Sequence, residues 1–503
     1  MADKTRHNGL NEIDTPATEE RRSDSATQAS TAHASFGCPL LLGFLVVVGA
    51  IIRVIATHND LWLDELISLR IANAIKTPWQ IFSSAHTDNN HYLNTLYLHF
   101  VKQSNYAPAY RYLSVVWGVA LVPAGYWLLA RRSQVEAVIL AGLLACSYPL
   151  IHFSSEARGY SGAVLGSMLA SAALSRWMAQ ERGKMWSFFM GLTYGVAIVF
   201  ALLSHLTTAL IWFPLAAGSF IILAGRPQRR KWIALWIALN VLPVCVLGTL
   251  YFLDLRFMAE MGGSPMTVPH GLGRLLALGL GWPLKDAATV CIVLVPLIGL
   301  IVWQLAAEWK SQEPLSILLG LIYLVPLVCV LVLQPSFFSP RYFLVILPFV
   351  YVGIANLLAR LVPTRKGRIA LGITFALFMV GQVSLYARFL EVGRGQFTAA
   401  LQYMMQHTTS PQIVVASNQD FRSGVELAYF APRVLTKQLL YVQGGSRASV
   451  EPEWYILHQE SYEPAGPDVL NTPGQPTWYR VAYFGASELS GQAWTIYSRQ
   501  RTP

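Results

Sequence analysis

Residues 186–224 read WSFFMGLTYGVAIVFALLSHLTTALIWFPLAAGSFIILA, a stretch without Asp, Glu, Lys or Arg that is interrupted near its middle by Ser204-His205. Each half, 186–204 and 206–224, is long enough to cross roughly 30 Å of hydrocarbon as a helix, so the stretch predicts two membrane helices meeting in a tight turn. Outward from it, runs of the same kind occur near 38–56, 108–130, 136–153, 161–180, 232–253, 288–306, 315–334, 342–360 and 369–388. About eleven transmembrane helices result. The expected fold class is an all-α polytopic membrane protein with a small C-terminal α/β domain.

Composition agrees. The 503 residues are 54% hydrophobic and only 13% charged, too apolar for an ordinary soluble multidomain enzyme. The net charge of +10 does not imply a nucleic-acid partner, because the basic residues sit in short gaps between apolar runs rather than on one polar domain. If residues 1–36, rich in Ser, Thr, Ala and charge, form a disordered cytoplasmic tail, then Arg131 and Arg132, Arg182 and Lys184, Arg226 with Arg229 to Lys231, Lys310, and Arg365 to Arg368 all fall inside. That satisfies the positive-inside rule. The run from Cys38 is read as a retained first span of a multi-pass inner-membrane protein. An odd number of spans places the C-terminal part, 391–503, outside the cytoplasm. Short β-prone runs there, Ile413-Val414-Val415 and Trp454-Tyr455-Ile456-Leu457, alternate with turns and predict a small α/β domain. Cys38, Cys146, Cys245, Cys291 and Cys329 all lie in apolar stretches, which suggests neither a disulfide framework nor a CxxC metal site.

Three outward-facing segments carry the polar chemistry. The loop 57–107 contains Trp62, Trp79 and Phe82 at spacings that suit helices lying in the membrane interface. Within it, Leu61-Trp62-Leu63-Asp64-Glu65-Leu66 sets two adjacent carboxylates where one could take a proton from an incoming hydroxyl while the other orients it. Mutual repulsion would raise one carboxyl towards neutrality. The bland alternative is a solvated helix start whose acids face the positive dipole end. Further on, His86-Thr87-Asp88-Asn89-Asn90-His91 offers oxygen and imidazole groups to a metal or a sugar, without a zinc signature. It also reads as a polar turn capping the helix from Tyr92. Glu156 and Arg158, in Ser154–Tyr160, and Arg341 with Tyr342, after Pro340, bring further charge to the same face. Arg suits phosphate oxygens, and ionisable residues at such depth point to function. His205 and His270 also face outward, where structural histidines are commoner than ligands.

Four of these stretches, LWLDELISLR (61–70), DNNHYLNTLYLH (88–99), FSSEARGY (153–160) and FSPRYFLVILP (338–348), resemble the motifs of GT-C-type glycosyltransferases that use polyprenyl-phosphate sugars. That group includes protein O-mannosyltransferases, the aminoarabinose transferase and lipopolysaccharide-core galacturonosyltransferases. The motifs occur in family order over roughly 38 to 390, with a GT-C-like catalytic domain spanning 37–390. The resemblance implies catalysis in the first loop, with Asp64 as base and Glu65 as neighbour. It places Asp88 and His91 near the acceptor, and Glu156, Arg158, Arg341 and Tyr342 on the donor-phosphate side, with Tyr160 a further substrate-binding candidate. Where the family often has Pro after the histidine, this chain has Tyr92. Metal use differs among members, which leaves a divalent cation open, with Asp64, Glu65 and His91 as candidate ligands.

The activity so implied is inverting transfer of a monosaccharide from a polyprenyl-phosphate carrier to a hydroxyl of a glycolipid, polysaccharide or protein. No GxGxxG follows a strand, in keeping with a donor carried by lipid rather than by a nucleotide. The alternative is a transporter or flippase of lipid-linked saccharides, which would show internal repeats and broken helices. No repeat is visible.

Overall fold

Apolar helices dominate the structure, a computed structural model that describes residues 39–179, 183–258, 266–282, 314–333, 339–443, 450–460, 463–471 and 476–500, with isolated positions between 295 and 306. The expected amino-terminal tail, Cys38, Arg182, most of the run at 288–306 with Cys291, Lys310 and residues 334–338 lie outside the described residues.

In chain order the first helices are α1 (Pro39–Ile55), α2 (Leu63–Ala74), α3 (Gln80–Ser83), α4 (Tyr92–Val101), α5 (Tyr112–Leu129), α6 (Gln134–Cys146), α7 (Tyr148–Ser154), α8 (Tyr160–Ala179), α9 (Lys184–Ser204), α10 (Ala209–Ala224), α11 (Arg229–Leu253) and α12 (Val268–Gly279). Pro314–Leu333, Leu347–Ala359 and Arg365–Val392 follow. Among the described residues five helical segments are long and apolar enough to cross a membrane: Ala107–Leu129, Lys184–Ser204, Leu206–Ala224, Arg229–Phe257 and Arg365–His407. A sixth results if the bent pair α6 and α7 is one span. The remaining expected spans are shorter, less apolar or outside the described residues. Helix α8 is nearly all buried and rich in Ala, Ser and Gly, small residues that let α5 and α9 pack closely on either side of it.

The bend between α6 and α7, 57°, replaces the straight helix expected over 136–153, and its cause is local. Pro149 has no N–H to give the carbonyl four residues back and disfavours continuation of the helix. Arg53 supplies the missing donors from α1: its Nη1 donates to Ala145 O at 3.1 Å and its Nη2 to Leu144 O at 3.0 Å. The Tyr148 N–H released at the same break donates to Gln382 Oε1 at 2.5 Å. Every polar group freed by the bend among these is therefore satisfied.

After Gly393 come helix Phe397–His407, β1 (Gln412–Ser417), helix Asp420–Val434, β2 (Gln438–Tyr441), β3 (Trp454–Glu460), β4 (Val469–Leu470), β5 (Trp478–Phe484) and β6 (Gln492–Ser498). They form one six-stranded sheet in the order β2-β1-β3-β6-β5-β4. Strand β1 is parallel to both β2 and β3, and the remaining pairs are antiparallel. The apolar runs Ile413–Val415 and Trp454–Leu457 lie in the adjacent interior strands β1 and β3. Leu61, Trp62, Leu63, Leu66 and Leu69 are buried in one core with Phe397, Leu401, Val425 and Trp494. Their apolar side chains thus pack under the sheet domain instead of anchoring α2 in lipid. Trp79 alone of the three expected interface aromatics is largely exposed, at 61%.

Candidate functional site

Helix α2 starts at Leu63 with two acids in its first turn, and Glu65 reaches back to accept the Trp62 N–H at 3.2 Å. That one-sided cap aims Glu65 inward, where Arg111 Nε and Nη2 hold it at 2.7 and 2.5 Å and the Ala157 N–H donates to it at 2.7 Å. Asp64, one position earlier, turns the other way into a cavity. Asn89 keeps that geometry by donating to Asp64 O at 2.8 Å and to Ser68 Oγ at 2.9 Å.

The turn 154–160 brings Arg158 to the same cavity. Asn94 Nδ2 donates to Ala157 O at 2.6 Å and Ser114 Oγ to Arg158 O at 2.8 Å. Gly159 lies against the end of α9, where a Cβ would sit 1.8 Å from Ser204 O; only glycine allows that approach. Arg341 arrives from the one-turn helix Pro340–Phe343. Arg158 Nη1 and Arg341 Nη1 each donate to Asp64 Oδ2 at 2.6 Å, so two guanidinium groups share one carboxylate oxygen. Arg158 Nε donates to His91 Nε2 at 3.0 Å, which fixes His91 as neutral with its proton on Nδ1. The cavity measures about 220 Å³, and its wall includes Asp64, Asp88, His91, Arg158, Tyr160, His205, Arg341 and Tyr342. Tyr160 stacks on His205 at 4.3 Å and His205 on His91 at 4.6 Å. Among the described residues, the Tyr160 hydroxyl and Arg341 Nε have no hydrogen-bond partner.

Electrostatics separates the carboxyls. Burial would raise Asp64, but Arg158 and Arg341 outweigh it and hold the group below the ordinary carboxylate value. Burial would likewise raise Glu65, and Arg111 reverses that. The expectation that their mutual repulsion would lift one of them is therefore overturned: each acid has its own arginine partners, and they point apart. Asp88, on the cavity rim with the Thr87 hydroxyl 3.4 Å away, is the wall carboxyl that is raised, by desolvation first. His91 and His205 are pushed well below the ordinary imidazole value by burial and then by the arginines, so both stay neutral.

Of the sequence-derived candidates, Asp64, Asp88, His91, Arg158, Tyr160, Arg341 and Tyr342 share the cavity wall, whereas Glu65 and Glu156 do not. Glu156 is buried behind Arg158, whose Nη1 lies 3.9 Å away. It accepts from Ser490 Oγ at 3.1 Å, and desolvation raises its pKa. His270 is likewise absent from the wall. Tyr92 uses its hydroxyl to donate to Asp254 Oδ2 at 2.7 Å, and His86 Nδ1 meets Asp254 Oδ1 at 2.6 Å, so both tie the first loop to the end of α11. Sequence reasoning undervalued His205, whose one signal was the polar break in an otherwise apolar stretch. It also misread Trp62, whose ring lies 5.6 Å from the Arg341 guanidinium and 6.0 Å from that of Arg158.

The proposed ligand set for a divalent cation does not assemble. Asp64 Oδ2 faces two guanidiniums, Glu65 turns to Arg111, and His91 Nε2 faces Arg158. Among the described residues no three His, Cys, Asp or Glu side chains form a group that could hold a metal.

No sequence-family model matches the chain, and no curated protein matches it in sequence. Solved structures do match. ArnT from Cupriavidus metallidurans, in the apo state, gives a TM-score of 0.52 at 11% identity, covering 93% of this chain and 99% of that one. The Archaeoglobus fulgidus oligosaccharyltransferase, solved in complex with Zn and sulfate, gives 0.50 at 12% identity over 83% of this chain and 67% of that one. ArnT bound to undecaprenyl phosphate gives 0.49 at 12% identity over 93% and 98%. At such identities the likeness is one of fold. This chain shares the fold of the apo ArnT structure from end to end.

Proposed function

We propose that this protein is a GT-C-type membrane glycosyltransferase that moves a monosaccharide from a polyprenyl-phosphate carrier to an acceptor hydroxyl, inverting the anomeric centre. The observation that carries the reading is the pair Arg158 and Arg341, both 2.6 Å from one oxygen of Asp64. One buried and one partly buried cation on a single carboxylate leave a positive charge in excess, suited to a phosphate that gains charge as it departs. The wall also offers a sugar the neutral His91 and the Tyr160 hydroxyl, which has no partner among the described residues. In this reading about eleven spans sit in the inner membrane, and the cavity and residues 391–503 face outward.

In the transfer, the acceptor oxygen bonds to the anomeric carbon while the bond from that carbon to the phosphate oxygen breaks. Its electron pair leaves on the polyprenyl phosphate, between Arg158 and Arg341. The acceptor's proton goes to a carboxylate. The resemblance to the family gives that task to Asp64, but a carboxyl held ionised by two arginines is a weak proton acceptor. Asp88, on the same wall with a raised pKa, is the better base, and Asp64 serves to fix both arginines. Holding donor and acceptor in line supplies the rest of the rate enhancement.

The test is release of polyprenyl phosphate from a polyprenyl-phosphate sugar by purified protein given candidate acceptors. Asp88→Asn should lower kcat by about 10²-fold or more at unchanged donor KM, and Asp64→Asn should raise donor KM. Full kcat in Asp88→Asn would hand the base role back to Asp64. Full activity in both Arg158→Ala and Arg341→Ala would end the reading, and movement of lipid-linked sugar across vesicles without cleavage would establish a transporter instead.

A further inference from the structure

Away from this cavity, α9 and α11 enclose a second space of about 640 Å³. Its position follows from the helices themselves. Helix α9 has 21 residues and so runs about 30 Å, and its last residue, Ser204, lies at the candidate site. Helix α11 ends beside Asp254, which holds Tyr92 and His86 of the first loop. The opposite ends, at Lys184 and Lys231, therefore sit a bilayer's thickness from the site, at the other membrane face.

The groove exists because α9 presents glycines to α11. A Cβ on Gly191 would come within 2.8 Å of Leu239 Cδ2, whereas one on Gly195 would meet only Leu239 O at 3.6 Å and Leu242 Cδ2 at 4.0 Å. The helices touch at the first glycine and leave room around it, between walls that include Phe188, Leu192 and Leu235. Trp177 and Trp232, in edge contact at 6.2 Å, are also part of the lining.

One end of this apolar space is charged. Lys184 opens α9, and Arg229, Arg230 and Lys231 open α11, with no acid in either first turn. Cations there add to the positive end of each helix dipole, an arrangement that is unfavourable unless an anion joins it. Both lysines are exposed, and among the described residues no salt bridge reaches either. The positive-inside rule accounts for basic residues at this face. It does not account for two of them lining the same hydrocarbon-sized cleft.

We infer that this groove binds an anionic phospholipid from the leaflet opposite the candidate transfer site, its acyl chain between α9 and α11 and its phosphate at Lys184 and Lys231. Apolar walls with basic groups at a leaflet surface match that chemistry.

The experiment is native mass spectrometry of delipidated full-length protein offered phosphatidylglycerol and phosphatidylcholine with identical chains. Wild type should retain phosphatidylglycerol roughly tenfold or more over phosphatidylcholine, the order expected of two lysines near a surface. The paired change Lys184→Gln with Lys231→Gln should abolish the preference, and Lys184→Arg with Lys231→Arg should keep it. Gly195→Leu, which fills the groove without touching charge, should reduce occupancy by both lipids. Equal retention by wild type, a preference that survives the glutamine pair, or unchanged occupancy in Gly195→Leu would each overturn the inference. Because the readout is bound lipid and not sugar transfer, these outcomes are independent of the activity proposed above.

Discussion

Asp64 and Glu65 are neighbours in the chain but belong to different structures, one a cavity wall and the other a buried pair. Glu65 and Arg111 are both fully buried, 2.5 Å apart. Glu65→Gln would leave the Arg111 charge uncompensated, which typically costs about 3–5 kcal/mol. It should therefore lower the unfolding temperature in detergent far more than Asp64→Asn does; a wild-type melting curve for Glu65→Gln would refute the structural role. Acid sensitivity follows from the same contacts. Both carboxyls are held below their ordinary values, so their stabilisation is present above about pH 4, the unfolded range, and is lost as pH falls through the lower folded values. Thermal stability measured downward from pH 5 should decline below that point, and less steeply in Asp64→Asn. Asp88 behaves oppositely: raised from its ordinary value, it stays protonated to higher pH. If it is the base, kcat should fall on the acid side through a pKa above about 3.9, and the Asp88→Asn profile should lose that limb. At this scale the sequence made the polar residues visible but not their directions. A carboxylate followed by another cannot reveal which side of a helix start each faces, because that depends on where Arg111, Arg158 and Arg341 arrive from distant segments.

The turn 154–160 shows how an element sets the position of a single guanidinium. Gly159 lets it rest on the Ser204 carbonyl, with Arg158 held immediately before it. Gly159→Ala would force the turn off α9, a strain of the order of 1–3 kcal/mol. The expected result is a folded, less stable protein with a raised donor KM, checked by steady-state kinetics beside a melting curve. Unchanged KM would mean that the turn does not position Arg158. Periodicity and length made the long helices legible, including the two that meet at Ser204-His205. The α6–α7 bend was not read, although Pro149 marks it, because the membrane run continues apolar through the break and the carbonyls freed there are taken up by Arg53 from another helix. The expectation of Trp62 at the membrane interface failed for a similar reason, and Leu61 and Leu63 are buried with it: an apolar side chain carries no label for what will cover it, lipid or protein.

What covers them is the C-terminal segment, and it reaches the site through polar contacts as well. Ser490 Oγ donates to Glu156 behind Arg158 at 3.1 Å, and Gln492 N donates to Arg394 O at 3.0 Å. Arg394 in turn donates to His152 O at 2.6 Å and to Ser155 Oγ at 3.0 Å, at the root of the 154–160 turn. Gly491, at φ +127°, permits the approach, since a Cβ there would sit 2.1 Å from Arg394 O. The sheet is therefore built into the floor of the helical site rather than tethered beside it. A chain ending at Val392 would expose Leu66 and Leu69 on α2 and leave the buried Glu156 without its hydroxyl donor, a loss worth about 1–3 kcal/mol for the hydrogen bond alone. Such a chain should elute from size-exclusion chromatography as aggregates and release no polyprenyl phosphate. Ser490→Ala, which removes one contact and keeps the apolar cover, should remain monodisperse with a lower melting temperature. If the shortened chain instead eluted as a sharp peak with wild-type turnover, the cover over α2 would be dispensable, and Asp64 would owe its orientation to Asn89 and the arginines alone.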